Sequence, residues 1–270
     1  MKSVLSNVTK ADVCTDPFPH IVIHNPIDED LYAQMAARYP HQDLLIYDNH
    51  RYPGNDPGNN KRFGLMTIDI NNNPLLDPIW REFTRVHCNR DFFLQVMDLF
   101  ADHIRQIHPG IEDLLGPLND PRVGMRYFDT FDDHEILVDA TIVINSPVHT
   151  EGTRVRVPHV DRVQKLYSGL LYLRHPEDQS TGGDLVLYRF KNGTPEGFLG
   201  RDVDDRHVEA VKVIPYQSNV LVMFPHHIKA LHGVTPRSLA PMPRRLLTFS
   251  CDTPHELYNV DPFQLETATV

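Results

Sequence analysis

The chain has 270 residues, of which 41% are hydrophobic, and a formal net charge of -10. This length and composition can bury a sizeable core, so we expect one large domain, or at most two. The acidic balance argues against nucleic acid or an anionic membrane as the main partner, because both require clustered basic side chains. No stretch approaches the roughly 20 apolar residues of a membrane span, and residues 1–7 lack a secretory apolar run, so we expect a cytoplasmic protein.

The cysteines do not form a short-spaced motif. Cys14, Cys88 and Cys251 are odd in number and scattered, which predicts reduced thiols and neither a disulfide framework nor a zinc site. Histidine is abundant, with 16 residues, and metal chemistry is one reason for a chain to carry so many.

The N-terminal part predicts a strand, helices and a long loop. Residues 18–24 favour a short strand, and a helix is predicted after it, with Asn25 as the N-cap and Pro26 at the first position. Its apolar side chains recur at helical spacing until Pro40. These side chains are Leu31, Met35 and Tyr39.

The next stretch changes from turn-forming to helical composition. Residues 48–73 are crowded with Asn, Pro, Gly and Asp, which predicts an irregular loop that could act as a lid. Between Pro78 and His108, apolar spacing predicts two helices that support a sheet, and Pro109 and Gly110 end the second.

After Pro117 the sequence has short β-type segments separated by turn residues, which predicts an antiparallel sandwich or barrel such as a jelly roll. We expect the segment 166–173 to pair antiparallel with 184–190, because a turn joins them. The predicted strands are 123–128, 136–145, 166–173, 184–190, 209–214, 219–224 and 245–251.

A candidate metal motif precedes the third of these strands. His159 and Asp161 are two residues apart, so on an extended backbone both side chains point the same way. One further histidine would complete the two-histidine, one-carboxylate triad that holds non-haem iron(II). The same short pattern occurs at His41 and Asp43, so the motif needs its context to be informative.

The context is an ordered series of motifs after Asp161. A Tyr-Leu strand ends at Leu173, a Gly-Gly-x-Leu turn begins at Gly182, an apolar strand ends in Phe-Pro at Pro225, and His232 is followed by Gly and Val. Arg244 then opens the last strand. Over about residues 123–252 this series resembles the iron(II)- and 2-oxoglutarate-dependent dioxygenases, particularly the prolyl-hydroxylase-like branch.

The resemblance implies an α+β, mainly β fold. Its core would be a double-stranded β-helix (jelly roll, cupin-like) with buttressing N-terminal helices. It implies one catalytic domain over 1–270, with N-terminal elements in 1–116, the β-helix core in 117–255 and a tail in 256–270.

The resemblance also places the metal on His159, Asp161 and His232. Two imidazoles and one carboxylate suit Fe(II) and leave positions open for 2-oxoglutarate and O2. His226 and His227 are rivals of His232 for the third ligand, because they lie close to it in sequence.

For 2-oxoglutarate, the resemblance implies that Arg244 binds the distal carboxylate and that Thr248 lies on the same strand face. Arg245 and Arg237 remain alternatives to Arg244. Tyr172 matches a family tyrosine whose hydroxyl bonds a 2-oxoglutarate carboxylate, and Ser168 shares its strand face. Asn145, at a strand end, is a further candidate for contact with 2-oxoglutarate or substrate.

The implied activity is hydroxylation of a C–H bond in a small molecule or a peptidyl residue, coupled to conversion of 2-oxoglutarate to succinate and CO2. Ascorbate could support it. The alternatives are a cupin-type metalloenzyme that does not use 2-oxoglutarate, and a non-catalytic jelly-roll binding module. Arg154 and Arg156 precede the metal motif and are compatible with an anionic substrate, and Arg51, Lys61 or Arg62 could reach inward from the predicted lid.

Overall fold

The computed structural model describes residues 1–47, 50–51, 58–192 and 201–260. In chain order, the helices are α1 (Glu29–Ala37), α2 (Thr67–Asn72), α3 (Pro78–His87), α4 (Arg90–Ile107) and α5 (Ile111–Leu115). The strands are β1 (Ile21–His24), β2 (Ile46–Tyr47), β3 (His50–Arg51), β4 (Arg62–Leu65), β5 (Val123–Met125), β6 (Ile136–Asn145), β7 (Lys165–Tyr172), β8 (Leu185–Phe190), β9 (Val208–Ile214), β10 (Val220–Pro225), β11 (His232–Val234) and β12 (Arg244–Asp252).

The strands form two sheets. Within the described residues, the large sheet has the order β1-β10-β7-β12-β6-β4-β2-β3, and β5 pairs with β6. The small sheet has the order β11-β8-β9. The predicted mainly β class is therefore confirmed.

Two expectations about strand pairing are wrong. β7 pairs with β10 and β12, whereas β8 pairs with β9 and β11, so β7 and β8 belong to different sheets. The turn between them is a crossover from one sheet to the other and not a hairpin. The predicted all-antiparallel arrangement also has an exception, because β5 pairs with β6 in parallel.

One face of the large sheet shares the main apolar core with the helices. α3 and α4 match the two helices that the sequence predicts between Pro78 and His108, and their aromatic side chains are almost fully buried. The ring of Phe249 in β12 lies 5.7 Å from that of Phe83 and 5.4 Å from that of Phe92. Each such side chain contributes about 1.5–3 kcal/mol by leaving water.

The other face of the large sheet lies toward the small sheet. Val143, Val222 and Leu246 from the large sheet pack in one cluster with Leu185 and Leu187 from β8. Period-two alternation sends neighbouring residues of each strand into different cores. The candidate site lies on this inner side.

The first helix begins later than the sequence predicts. Asp28 is the N-cap, and its side chain accepts a hydrogen bond from the backbone N–H of Leu31 at 3.0 Å. Asn25 instead has a left-handed backbone with φ of 54°, and its N–H donates to the carbonyl of Asn219 at 2.8 Å. Asn tolerates this conformation better than most residues, so it forms the turn that precedes the helix.

The predicted irregular loop over residues 48–73 is wrong in its second half, which forms β4 and α2. β4 is held by pairing with β6, a tertiary contact that the turn-rich composition does not reveal. Residues 48–49 and 52–57 lie outside the described residues, and with them the central part of the predicted lid. None of the helices in the described part of the chain has the length and apolar character that a membrane span requires.

Tyr39 connects the N-terminal segment to the large sheet. Its buried hydroxyl donates to the carbonyl oxygens of Val143 at 2.6 Å and Leu246 at 3.1 Å. These two residues face each other across β6 and β12, so the hydroxyl bridges the central strand pair.

We expect Tyr39→Phe to lower the free energy of unfolding by about 1–2 kcal/mol, because two buried carbonyls lose a donor while the ring contacts remain. The measurement is urea denaturation followed by fluorescence of Trp80, the only tryptophan. The control is Tyr188→Phe, since the Tyr188 hydroxyl has no hydrogen bond to a described residue, and it should change stability by less than about 0.5 kcal/mol. Equal effects of the two variants would contradict the bridge.

Candidate metal and cosubstrate site

A backbone bridge brings the first and last residues of the candidate triad together. The N–H of His159 donates to the carbonyl of His232 at 2.8 Å, and the N–H of His232 donates back at 3.0 Å. Directly opposed residues of an antiparallel pair carry their side chains on the same face. The two imidazole rings consequently lie side by side, with centroids 4.2 Å apart.

Each imidazole is held in a defined tautomer. The Nδ1 atom of His159 lies 2.9 Å from the carbonyl of Val157, and that of His232 lies 3.0 Å from the carbonyl of Ala230. A carbonyl can only accept, so Nδ1 carries the proton in both rings and Nε2 presents a lone pair. Burial and the neighbouring His159 lower the pKa of His232 far below its usual value, which keeps this ring neutral.

The two Nε2 atoms face one oxygen of Asp161. His159 Nε2 lies 3.5 Å and His232 Nε2 lies 3.9 Å from Asp161 Oδ1. One ligand atom from each of the three residues lies within 4.8 Å of the others, and no other group of three histidine, cysteine or acidic residues meets this test among the described residues. The arrangement provides two imidazoles and one carboxylate for a divalent ion.

Gly233 follows His232, and the backbone of Val157 and Pro158 lies close to it. A Cβ at this position would lie 3.0 Å from the carbonyl carbon of Val157 and 3.1 Å from the nitrogen of Pro158. Both atoms belong to the backbone next to His159, so a larger residue would push the two histidines apart.

The second oxygen of Asp161 is bound by a separate set of donors. Asp161 Oδ2 accepts from Lys165 Nζ at 2.7 Å and from Ser168 Oγ at 3.1 Å. His226 Nε2 lies 2.7 Å from Ser168 Oγ and 3.3 Å from Oδ2. Each carboxylate oxygen therefore has its own role, since Oδ1 faces the two imidazoles and Oδ2 is held by protein donors.

Burial raises the pKa of the Asp161 carboxyl, but the charge of Lys165 and the interactions with His159 and His226 outweigh this effect and hold the pKa well below its usual range. The carboxylate is consequently ionised and available as a ligand. Burial also lowers the pKa of His226, so this ring is neutral and donates through Nε2.

The rival histidines occupy other positions. His226 is fully buried behind Ser168, where it supports the carboxylate, and His227 packs against the ring of Phe18. In the repeated motif, His41 Nδ1 lies 3.1 Å from the Asp43 carboxylate, and both side chains are exposed, with exposed fractions of 71% and 59%. Tertiary structure thus separates two patterns that are identical in sequence.

Arg244 is the buried cation on the same side of the large sheet. Its Nε donates to the carbonyl of Gly183 at 2.9 Å, and its Nη1 donates to Asn145 Oδ1 at 3.2 Å. The guanidinium carbon lies 4.9 Å from the ring centroids of both Tyr172 and Tyr216. These contacts fix the guanidinium plane.

Two polar atoms in this pocket have no hydrogen-bond partner. Nη2 of Arg244 and the hydroxyl of Tyr172 are both buried and unsatisfied among the described residues. A buried donor without an acceptor costs about 1–3 kcal/mol, so this pair matches a ligand that brings acceptor oxygens. A carboxylate has the required charge and geometry for Arg.

The remaining predicted residues lie on the same face of the large sheet, at different positions along its strands. Thr248 is half-buried and lies opposite Leu170, two residues after Leu246 on the same face of β12. Ser168 is four residues from Tyr172, which is about 13 Å along a strand, and it contacts Asp161 instead of Arg244. Asn145 positions Arg244 through its amide oxygen.

The two alternative arginines have other partners. Arg245 lies on the opposite face of β12, with its guanidinium carbon 4.9 Å from the ring centroid of Tyr39. Arg237 is buried and donates to Asp178 at 2.8 Å and to Ser180 at 2.9 Å. Arg244 has no carboxylate partner among the described residues, which distinguishes it from Arg237.

Four residues of the site are not among the sequence candidates in the roles that the structure gives them: Lys165, His226, Tyr216 and Gly183. His226 is recognised only as a rival ligand. The spacing of Lys165, four residues after Asp161, is a weak signal, because the same spacing occurs in many surface pairs. Gly183 acts through its carbonyl, and Tyr216 comes from a connection between two strands, so neither position is marked by its residue type.

The chain was compared with protein-family models, curated proteins and solved structures. No protein-family model matches the sequence, and no curated protein matches it. Among solved structures, the chain is similar to a prolyl 4-hydroxylase of Pseudomonas putida (16% identity, TM-score 0.43, 87% of this chain and 93% of that chain). It is also similar to prolyl 4-hydroxylases of Phytophthora capsici (14% identity, TM-score 0.49, 93% of this chain and 64% of that chain).

A third similar structure is HygX from Streptomyces hygroscopicus with nickel and 2-oxoglutarate bound (12% identity, TM-score 0.43, 87% of this chain and 83% of that chain). At such identities and TM-scores, the function proposed below rests on the geometry of the site.

For the metal, we expect His159→Ala and His232→Ala each to abolish binding of Mn(II), because each variant removes one of three ligands. Anaerobic titration with Fe(II) or Mn(II) by calorimetry measures this. His41→Ala and His227→Ala are the controls and should bind as the wild type does. Loss of metal in His227→Ala with retention in His232→Ala would show that the third ligand is misassigned.

For the carboxylate, we expect Lys165→Met to bind Mn(II) at least as tightly as the wild type, because a cation next to the divalent ion is removed. The bound Mn(II) should also hold about one fewer exchangeable water, because Oδ2 loses its charged donor, keeps only its interactions with Ser168 and His226, and can coordinate as well as Oδ1. Water-proton relaxation measures this number. Lys10→Met is the control, because Lys10 forms an exposed ion pair with Asp102. An unchanged number of bound waters in Lys165→Met would contradict the assignment of Oδ1 to the metal and Oδ2 to the protein donors.

Proposed function

We propose that this chain is an Fe(II)- and 2-oxoglutarate-dependent oxygenase that hydroxylates a C–H bond of a small molecule or a peptidyl residue. The observation that carries the proposal is the combination of the His159, Asp161 and His232 ligand atoms within 4.8 Å of one another with a buried, incompletely bonded Arg244 on the same face of the sheet. A metal site alone supports many activities, whereas a metal site with a carboxylate receptor supports this one.

In this proposal His159 and His232 supply neutral Nε2 ligands and Asp161 supplies Oδ1. Bound iron(II), with 2-oxoglutarate and O2, supplies the oxidising power for C–H hydroxylation and releases succinate and CO2. The donors on Asp161 Oδ2 leave one carboxylate oxygen for the metal, so three of its positions are available to other ligands.

The cosubstrate fits the pocket around Arg244. Nη2 of Arg244 and the hydroxyl of Tyr172 would donate to the distal carboxylate and become satisfied, while Asn145 holds the guanidinium in place. Thr248 would add a hydroxyl on the same face. In this proposal Ser168 acts near the metal, because it donates to Asp161. O2 is the second cosubstrate, and ascorbate supports the activity.

The proposal includes the finer architecture. The two sheets form a double-stranded β-helix, the N-terminal helices buttress its outer face, and one catalytic domain spans 1–270 with its core in 117–255. The shared apolar core of α3, α4 and the large sheet supports this arrangement. A cytoplasmic location is part of the proposal, supported by Cys14, Cys88 and Cys251 being free thiols.

Neighbouring arginines on opposite faces of β12 allow a matched test. Anaerobic titration of the wild type with Fe(II) and 2-oxoglutarate should give the visible charge-transfer band of the chelate, and air should give slow succinate formation without substrate. Arg244→Gln should bind the metal normally and lose about 10- to 100-fold in 2-oxoglutarate affinity, because a charged hydrogen-bond donor is removed. Arg245→Gln should behave as the wild type.

Absence of both the band and succinate in the metal-loaded wild type would overturn the proposal. Metal binding without 2-oxoglutarate binding would favour a cosubstrate-free cupin enzyme, and absence of metal binding would favour a non-catalytic module. Equal losses of 2-oxoglutarate affinity in Arg244→Gln and Arg245→Gln would show that the cosubstrate is held elsewhere.

A further inference from the structure

Two arginines near the triad have no partner for their charge. The side chains of Arg62 and Arg156 make no ion pair and no hydrogen bond with any described residue, whereas Arg154, two residues from Arg156, is paired with Asp205. Unpaired cations close together are unfavourable, and the chain as a whole is acidic, with a net charge of -10. Arg62 is exposed and Arg156 is half-buried, so both charges are accessible to a dissolved anion.

Arg62 lies on the inner face of the large sheet. In β4 it stands opposite Asn145 of β6, and Asn145 in turn stands opposite Arg244 of β12. Residues directly opposite one another across neighbouring strands share a face, so the three side chains form a row. Neighbouring strands are about 4.8 Å apart, which places the backbone of Arg62 about 10 Å from that of Arg244.

Arg156 belongs to the chain segment that leads into the metal motif. It lies three residues before His159, and its carbonyl accepts from the N–H of Val234 in β11, a strand of the small sheet. The side chain is half-buried. Arg62 and Arg156 thus come from chain segments joined to different sheets, with the triad residue His159 close to the second of them.

The electrostatics agree with this convergence. Desolvation by neighbouring protein atoms lowers the pKa of the Arg62 guanidinium, although the residue is exposed to solvent. Asp161 opposes this effect, while the positive charges of Arg156 and Arg244 add to it. Arg62 is consequently within electrostatic reach of the triad carboxylate, the cosubstrate arginine and Arg156.

We infer that Arg62 and Arg156 together bind an anionic group of the primary substrate, most simply a carboxylate, beside the metal site. The inference rests on the proposed function. Two guanidinium groups offer several N–H donors to one oxyanion, and their mutual repulsion is relieved when the anion binds. Arg244 is left for the cosubstrate, because it is already held by Gly183 and Asn145 at the other end of the row.

The bound carboxylate could come from the substrate or from 2-oxoglutarate, so the experiment separates the two. Inorganic sulfate is the probe for the arginine pair, added to Mn(II)-loaded protein saturated with 2-oxoglutarate, with sodium chloride at equal ionic strength as the reference. Sulfate at about ten times its Kd should raise the Tm of the wild type by about 2–4 °C. Arg62→Gln and Arg156→Gln should each lose this rise.

Arg154→Gln is the matched control, because Arg154 is two residues from Arg156 and is already paired with Asp205. This variant should keep the sulfate response. Absence of a specific sulfate response in the wild type, or the same response in all four proteins, would overturn the inference. Circular dichroism and Mn(II) affinity establish that the variants are folded, so a lost response reports the site.

Calorimetric titration with 2-oxoglutarate supplies the second arm. Arg62→Gln and Arg156→Gln should keep 2-oxoglutarate affinity within about twofold, in contrast to Arg244→Gln. If they lose affinity as strongly as Arg244→Gln does, the pair belongs to the cosubstrate and the inference is wrong. If the wild type itself does not bind 2-oxoglutarate, the proposed function fails, and sulfate titration of the Mn(II)-loaded protein still tests the arginine pair separately.

Discussion

The backbone bridge between His159 and His232 is the interaction on which the rest of the site depends. Two hydrogen bonds join residues that are far apart in the chain, and they place both imidazoles on one side with Nε2 toward Asp161. Gly233 lies beside this bridge, where a Cβ atom would come within 3.0 Å of the carbonyl group of Val157. The tautomers follow from local carbonyls, so the geometry for a metal is built before any metal binds.

The inner face of the large sheet carries charged groups at two separate places. At one end Lys165, Ser168 and His226 bind the second oxygen of Asp161, and at the other Arg244 lies between two tyrosine rings. Lys165 neutralises part of the carboxylate's charge, whereas Arg244 lacks a counterion among the described residues. The first arrangement orients a metal ligand that belongs to the protein. In the proposed function, the second would be completed by the carboxylate of a bound molecule.

Much of the architecture follows from local patterns. The strand from Ile136 to Asn145 has the bounds that the sequence predicts, and α3 and α4 match their amphipathic spacing. The pairing of strands does not follow, because β7 and β8 are adjacent in sequence but belong to different sheets. Likewise, Asn25 and Asp28 are both good caps, and the pairing of Asn25 with Asn219 decides which of them begins the helix.

By itself, the sequence determined the residue types and their order: a histidine and a carboxylate at strand spacing, a later histidine before glycine, and an arginine that opens the last strand. Alternation along a strand is a local property, so the separation of Arg244 from Arg245 could be predicted. Only the tertiary structure showed that His41 and Asp43 are exposed, gave His226 its place behind Ser168, and set Arg62 in one row with Asn145 and Arg244. These outcomes depend on strand register between distant segments, which is set by the packing of both sheets and has no counterpart in local spacing.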